Sequence, residues 1–457
     1  MLYNTNSPSL PRCRSSVSPF ILYIERRNTQ RRKYRLTKNP IPAQIAEAPL
    51  QYSFSLSGLA LYSLLYISDP SRPMIKEGEE KKRVVILTNP LTLEGDSSVD
   101  YRAPNLLQRI LSLFKNVGTG SDLTSFQLPA MFNFPKSQLQ CFGESVYCVG
   151  NDMVSNINKM ETSVERFTCV VAWSISTLRP VMFGLAPYNP ILGETHHVSN
   201  ANLNVLLEQV SHHPPVSALH ATDQDQNVEM LWCQHPLPKF RGAWVETEVH
   251  GKRLLKLHNH RETYEMNSPN LLIRFLPVPG VDWVGNVKIK CPETGLEAEL
   301  CYRANSFLGR RKNYRAIKGK IYQSSSSNIL YEIDGHWDRT VTLKDMNNGK
   351  TRVIYNATEV LSGLKTPTVK DLEAVWGSES AAVWSEVNQA ILSKDWEKAT
   401  EAKTDVEKKQ RELLKGRESV GETWVPKHFK VTCSMEGSWD CSPIHKWVPP
   451  APIVIPF

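Results

Sequence analysis

A mainly β domain with added helices, built as an antiparallel barrel or sandwich, is the fold class the sequence predicts, and three observations point to it. Between about residues 166 and 356, short runs with strand character follow closely on one another. Helical periodicity is scarce there, and turn-forming residues punctuate the runs. A parallel α/β sheet would instead alternate its strands with long helical patterns. The chain is 41% hydrophobic and 22% charged over 457 residues, the composition of a globular protein with ample core. No period of 20–50 residues repeats, which excludes a solenoid or a propeller.

Residues 1–73 read as an unfolded or leader-like extension. They carry ten basic residues against Glu25, Glu47 and Asp69, a net of +7 out of the total +8. An organellar transit leader is the alternative, since the segment is rich in Arg and Ser and poor in acids. The apolar stretch 54–67 is short of the roughly 20 residues a spanning helix needs. The working protein is expected to begin near Met74. Its body is then almost neutral, so nucleic-acid binding has no basic surface to draw on. Nine cysteines with no CxxC pair and an odd count suit reduced thiols in the cytosol.

Pro104 opens a predicted amphipathic helix at residues 105–117. Leu106, Leu107, Ile110, Leu113 and Phe114 fall mostly on one face, and Gly118 is the stop. Such a helix packs on a core, lies on a membrane surface, or closes over an apolar cavity. The strand runs follow at 205–210, 216–221, 228–234, 243–249, 271–275, 287–290 and 329–333. After Thr366 helix formers take over: 369–392 reads as one or two helices, and 395–418 as a highly charged one. The resulting segments are 74–125, 126–366 (the β core), 367–430 (a helical part of the same domain) and a tail, 431–457.

Two motifs carry the chemistry. The first is Ala186-Pro187-Tyr188-Asn189-Pro190-Ile191-Leu192-Gly193-Glu194, in which two prolines fix a loop and Gly193 permits close backbone approach. The second is Glu208-Gln209-Val210-Ser211-His212-His213-Pro214-Pro215, whose adjacent imidazoles offer up to four N–H groups to an anion. In the charged helix, Lys403, Glu407 and Arg411 stand at i, i+4 and i+8 and share a face. Arg provides a planar fork for phosphate, and Lys a point charge.

Taken in this order, the two motifs and the run Glu407-Lys408-Lys409-Gln410-Arg411 resemble the oxysterol-binding protein-related family, most closely its short plant members. The resemblance covers roughly residues 101–430 and implies a near-closed antiparallel β-barrel with an apolar tunnel, an N-terminal lid and a helical C-terminal region. It implies a carrier, not an enzyme, that moves a sterol or phosphatidylinositol 4-phosphate, or another phospholipid, between membranes. Asn189, His212, His213, Lys403, Glu407 and Arg411 would hold the headgroup, and Leu106, Leu107, Ile110, Leu113 and Phe114 would form the lid. One departure is Ala186, where the family pattern often has lysine; Arg179 is not obviously placed to replace it. Weaker phosphoinositide binding is the consequence expected.

The rival readings are a lipid sensor or scaffold using the same pocket, and a metal-dependent enzyme using His196-His197 and His212-His213. Neighbouring histidines on a strand point to opposite faces, so each pair supplies one ligand easily, and no metal motif matches. Neither a GxSxG elbow nor a Walker loop occurs. The expectation is therefore a cytosolic, peripheral, monomeric carrier without cofactor or metal.

Overall fold

The computed structural model describes residues 84–93, 102–149, 153–304, 314–326, 328–435 and 437–456, all within the unit Glu80–Phe457. The extension 1–73, its apolar stretch 54–67 and the expected start at Met74 lie outside the described residues. Helix α1 spans Leu106–Leu113, shorter than the expected 105–117: left-handed Asn105 (φ 58) starts it one residue late, and Phe114 (φ -91, ψ 2) ends it four residues early.

Strand β1 (Asn133–Ser137) leads into three helices, α2 (Gln138–Tyr147), α3 (Met153–Lys159) and α4 (Ser163–Ser176). Capping boxes open two of them, Ser137 with Gln140 and Thr162 with Glu165. After β2 (Ala186–Tyr188) come β3 (Thr195–Asn200), β4 (Leu203–His212), β5 (Pro215–Asp223), β6 (Val228–Phe240) and β7 (Trp244–Leu257). Strands β8 (Glu262–Met266), β9 (Asn270–Arg274), β10 (Gly280–Cys291), β11 (Leu296–Arg303) and β12 (Ala316–Gln323) continue the series. It ends with β13 (Asn328–His336), β14 (Thr340–Asp345) and β15 (Thr351–Asn356). The C-terminal part holds α5 (Ala357–Leu361), β16 (Thr368–Val369), α6 (Ser380–Val383), α7 (Ser385–Leu392) and α8 (Trp396–Val420). Three short strands follow: β17 (Phe429–Cys433), β18 (Trp439–Pro443) and β19 (Ile453–Val454).

Strands β3 to β16 and β19 form one 15-stranded sheet, antiparallel throughout except where β19 runs parallel to β3. Strands β17 and β18 make a separate hairpin. The fold is thus mainly β with α-helices, as expected. Two expectations need correction. The strand-rich region was expected to start near Arg166, yet residues 163–176 are helix α4. Of the stretch 369–392, only α6 and α7 are helical, and Val369 itself is in a strand.

Helix α4 escapes sequence reading because it is buried nearly all round, from Arg166 to Ser176, and so has no polar face to give a period. Phe167, Val170, Val171, Trp173 and Ile175 pack into the core with Leu207, Met230, Trp232, Tyr264 and the inward residues Leu296, Ala298, Leu300 and Tyr302 of β11. Its start is pinned by Arg166, whose Nε and Nη2 grip both oxygens of Glu262 at 2.8 and 2.6 Å.

Strands β4 and β5 are buried on both faces, since the C-terminal chain crosses behind them. Val448 donates its N–H to Thr222 at 3.0 Å and accepts from Asn204 at 3.2 Å. Phe429 and Cys441 of the β17–β18 hairpin pack on Val210, Val216 and Cys233.

The loop between β2 and β3 is held by Glu194, which is fully buried. Its carboxylate accepts from Ser137 Oγ, from Ser380 Oγ at 2.7 Å, from Trp384 Nε1 at 2.9 Å and from the Ile191 N–H at 3.0 Å. Glu194→Ala leaves the Ser137, Trp384 and Ile191 donors without this acceptor, while Ser380 Oγ still has the Thr195 carbonyl at 3.2 Å; each donor stranded in the interior costs about 1–3 kcal/mol. Chemical denaturation of the variant is therefore expected to show a loss of at least about 3 kcal/mol.

Candidate functional site

A cavity of about 660 Å³ opens where five pieces of chain meet. They are residues 124–128 downstream of α1, the β2–β3 loop, the β4–β5 turn, one stripe of α8, and the chain from Thr423 to β18. Asn189, His212, His213, Lys403, Glu407 and Arg411, the six headgroup residues expected from sequence, all line it. Arg179 does not; it is buried elsewhere, donating to the carbonyls of Ser176, Glu144 and Cys148.

His212 ends β4 and His213 lies in the turn, so the opposite-face argument for neighbouring strand residues does not apply: both line one cavity. Their rings stand edge to face, centroids 4.6 Å apart. His212 Nδ1 donates to the Pro190 carbonyl at 2.8 Å, which sets the tautomer and takes one of the four N–H groups counted from sequence. Burial, helped by the adjacent His213, pushes the His212 pKa down to about 4. At neutral pH its Nε2 is therefore a lone pair, and an anion there must be met by a proton.

Lys403 is buried and already engaged. Its Nζ donates to the Leu128 carbonyl and to Asn133 Oδ1 at 2.9 Å, and stands 3.8 Å from Glu407. Burial lowers its pKa, with Glu407 opposing. Asn133 in turn donates to the carbonyls of Ala186 and Pro187, both at 3.1 Å, so one side chain ties α8 to the first motif. Glu407 also faces Arg411, at 3.9 Å.

Asn133, Arg417 and Trp424 are among the lining residues that went unread in the sequence. Gln410 and Arg417 continue the helical stripe from Lys403 at i+7 and i+14, a signal that was present. The pair His196-His197 is absent from the cavity. His196 bonds Glu379 at 2.7 Å and Tyr147 at 3.0 Å, and His197 bonds the Pro449 carbonyl at 2.9 Å. Among the described residues, no group of three or more His, Cys, Asp or Glu side chains is placed to hold a metal ion.

The expected lid helix α1 rests on an apolar patch. Ile110 is buried with Phe132, Phe240, Val245 and Phe275, and Leu106, Leu113 and Phe114 pack beside them. The Phe114 ring stacks on Phe126, Phe240 and Phe275 at 5.5, 5.0 and 5.3 Å. Leu107 is half-buried and outside this cluster. Downstream, the segment adds to the end of β6 by backbone bonds from Gly120 to Phe240, Phe240 to Ser121 and Leu123 to Pro238.

A large antiparallel sheet, a covering helix and one cavity with a cationic wall define a ligand-binding domain. The oxysterol-binding protein family model matches residues 109–389. Oxysterol-binding protein-related protein 4B of Arabidopsis thaliana is 57% identical over 82% of this chain and 99% of its own length. Protein 4C of the same plant is also 57% identical, over 82% of this chain and all of its own. Among solved structures, the Osh1 ORD domain in complex with cholesterol matches with a TM-score of 0.65 at 21% identity, covering 79% of this chain and 90% of that one. Osh3 ORD in complex with PI(4)P from Saccharomyces cerevisiae matches at 0.59 and 22%, over 80% and 95%. The chain belongs to the oxysterol-binding protein family.

His212 and His428 are both held near pKa 4, chiefly by burial. In the unfolded chain each takes up a proton near pH 6.5, whereas the folded form resists until about pH 4. Their contribution to stability is complete above pH 6.5 and is lost as pH falls toward 4. Denaturation midpoints followed between pH 7 and 4 are expected to fall across this window, and less steeply in His428→Asn.

Proposed function

We propose that this protein binds a lipid and transfers it between membranes, without making or breaking a bond. The ligand is a sterol or a phosphoinositide, its polar end in the cavity and its apolar part beneath α1. The observation that carries the reading is the convergence of Asn189, His212, His213, Lys403, Glu407 and Arg411, from three distant stretches of sequence, on one cavity next to the covering helix. The family supports it, as do the ligands of the two solved relatives, cholesterol and PI(4)P. A monomer visiting membranes from the cytosol suffices for this role. Among the described residues, no helix is long and apolar enough to cross a membrane.

Each buried CH₂ of a cargo contributes about 0.8 kcal/mol, so the apolar part sets the strength of holding. The cavity sets the choice of headgroup. Replacing both His212 and His213 by Ala is expected to reduce phosphoinositide extraction from liposomes at least about tenfold, the loss of about 1.4 kcal/mol or more. Sterol extraction by the same folded protein should change less than about twofold. An equal loss of both lipids would remove the headgroup role from the histidines.

A further inference from the structure

The cavity contains one donor and one cation that the six expected residues leave unexplained. The indole Nε1 of Trp424 is buried and, among the described residues, has no hydrogen-bond partner, although Trp424 lines the cavity. Such an orphaned donor costs about 1–3 kcal/mol until an acceptor meets it. Arg417, half-buried on the same wall, sits with its guanidinium carbon 5.3 Å from the Trp424 ring centroid. Among the described residues it has no carboxylate partner.

The pair is held in place from two sides. Gly421 (φ 70) ends α8 and turns the chain back so that Trp424 returns beside Arg417. The benzo ring of Trp424 lies so close to Gly193 that a Cβ there would fall 2.6 Å from two ring carbons. Gly193 thus makes room for Trp424.

Spacing separates this pair from the inner residues. Arg417 is fourteen residues beyond Lys403, about 21 Å along a helix axis, so a single phosphate cannot engage both. With alanine at position 186, α8 supplies every Lys and Arg of the cavity wall: Lys403, Arg411 and Arg417. Cations spread along one wall fit a headgroup with more than one anionic group.

We propose that Arg417 and Trp424 form an outer anion subsite, which takes a second phosphate monoester on an inositol ring whose first is held near His212 and His213. This rests on the proposed headgroup role of the cavity. The same chemistry is offered by a lipid headgroup and by a free inositol phosphate.

The test measures extraction of phosphatidylinositol 4-phosphate and of phosphatidylinositol 4,5-bisphosphate from otherwise identical liposomes by the full chain. Arg417→Gln and Trp424→Phe are run beside it, and calorimetry with soluble inositol 1,4-bisphosphate and 1,4,5-trisphosphate reports the headgroup alone. The wild type is expected to favour the doubly phosphorylated ring by about fivefold or more, and each variant to bring that ratio close to one. Preference in the soluble arm without lipid extraction would support the subsite with a free inositol phosphate as its ligand. A wild-type ratio near one, or a ratio unchanged in both variants, overturns the subsite and leaves the headgroup reading standing. Binding of neither ring in either arm overturns both.

Discussion

The site depends on a buried carboxylate that, among the described residues, has no cation beside it. Glu194 survives in the interior only because four donors surround it, and burial still pushes its pKa upward against their pull. Those donors come from the start of α2, the loop itself and the α6 region, so folding must bring all three together before the charge is tolerated. Once Ile191 is bound to Glu194, the preceding Pro190 carbonyl is fixed, and that carbonyl orients His212. A structural hydrogen bond thus reaches the cavity through two residues of backbone.

The second motif repeats this arrangement from the opposite direction. Glu208, also fully buried, accepts the backbone N–H groups of Lys427 and His428 at 2.8 and 2.9 Å. It therefore draws in the chain that carries Trp424. The two motifs are joined to each other as well, by Gly193 to the Gln209 carbonyl at 2.9 Å and Gln209 to the Glu194 carbonyl at 2.8 Å. The glutamates assemble the walls, and Asn189, His212 and His213 of the same two motifs face the space so enclosed. This division explains why the C-terminal chain must cross behind β4 and β5: without it both faces of those strands could not be buried.

Much of this was legible in the sequence, and the failures have physical causes. Seven strand runs were found because β-branched and aromatic residues cluster between turn signals, as in β4, β5 and β6. The Lys403–Arg411 stripe was legible because a helix fixes which residues share a face. Helix α4 was not, since a helix enclosed by the sheet has no solvent face; its capping box at Thr162 and Glu165 was the available clue. Trp424 depends on a chain reversal at Gly421 and on a gap at Gly193, more than 200 positions away, and no local pattern announces such a meeting. The tautomer of His212 depends likewise on the exact position of a carbonyl that only the folded loop supplies.

The resting electrostatics suit a carrier that must let go. The cavity wall has three fixed cations against one carboxylate, and Lys403 has its ammonium committed to Leu128, Asn133 and Glu407. His212 is neutral, so it adds charge only when an anion and a proton arrive together. Each tenfold in affinity corresponds to about 1.4 kcal/mol, and a wall already fully charged would hold an anionic headgroup too tightly for delivery to a membrane. A proton-coupled contact instead weakens as the headgroup leaves, because the imidazole returns to its neutral state in the buried site. The burial that keeps His212 uncharged is thus the feature that would make the proposed contact with a headgroup reversible.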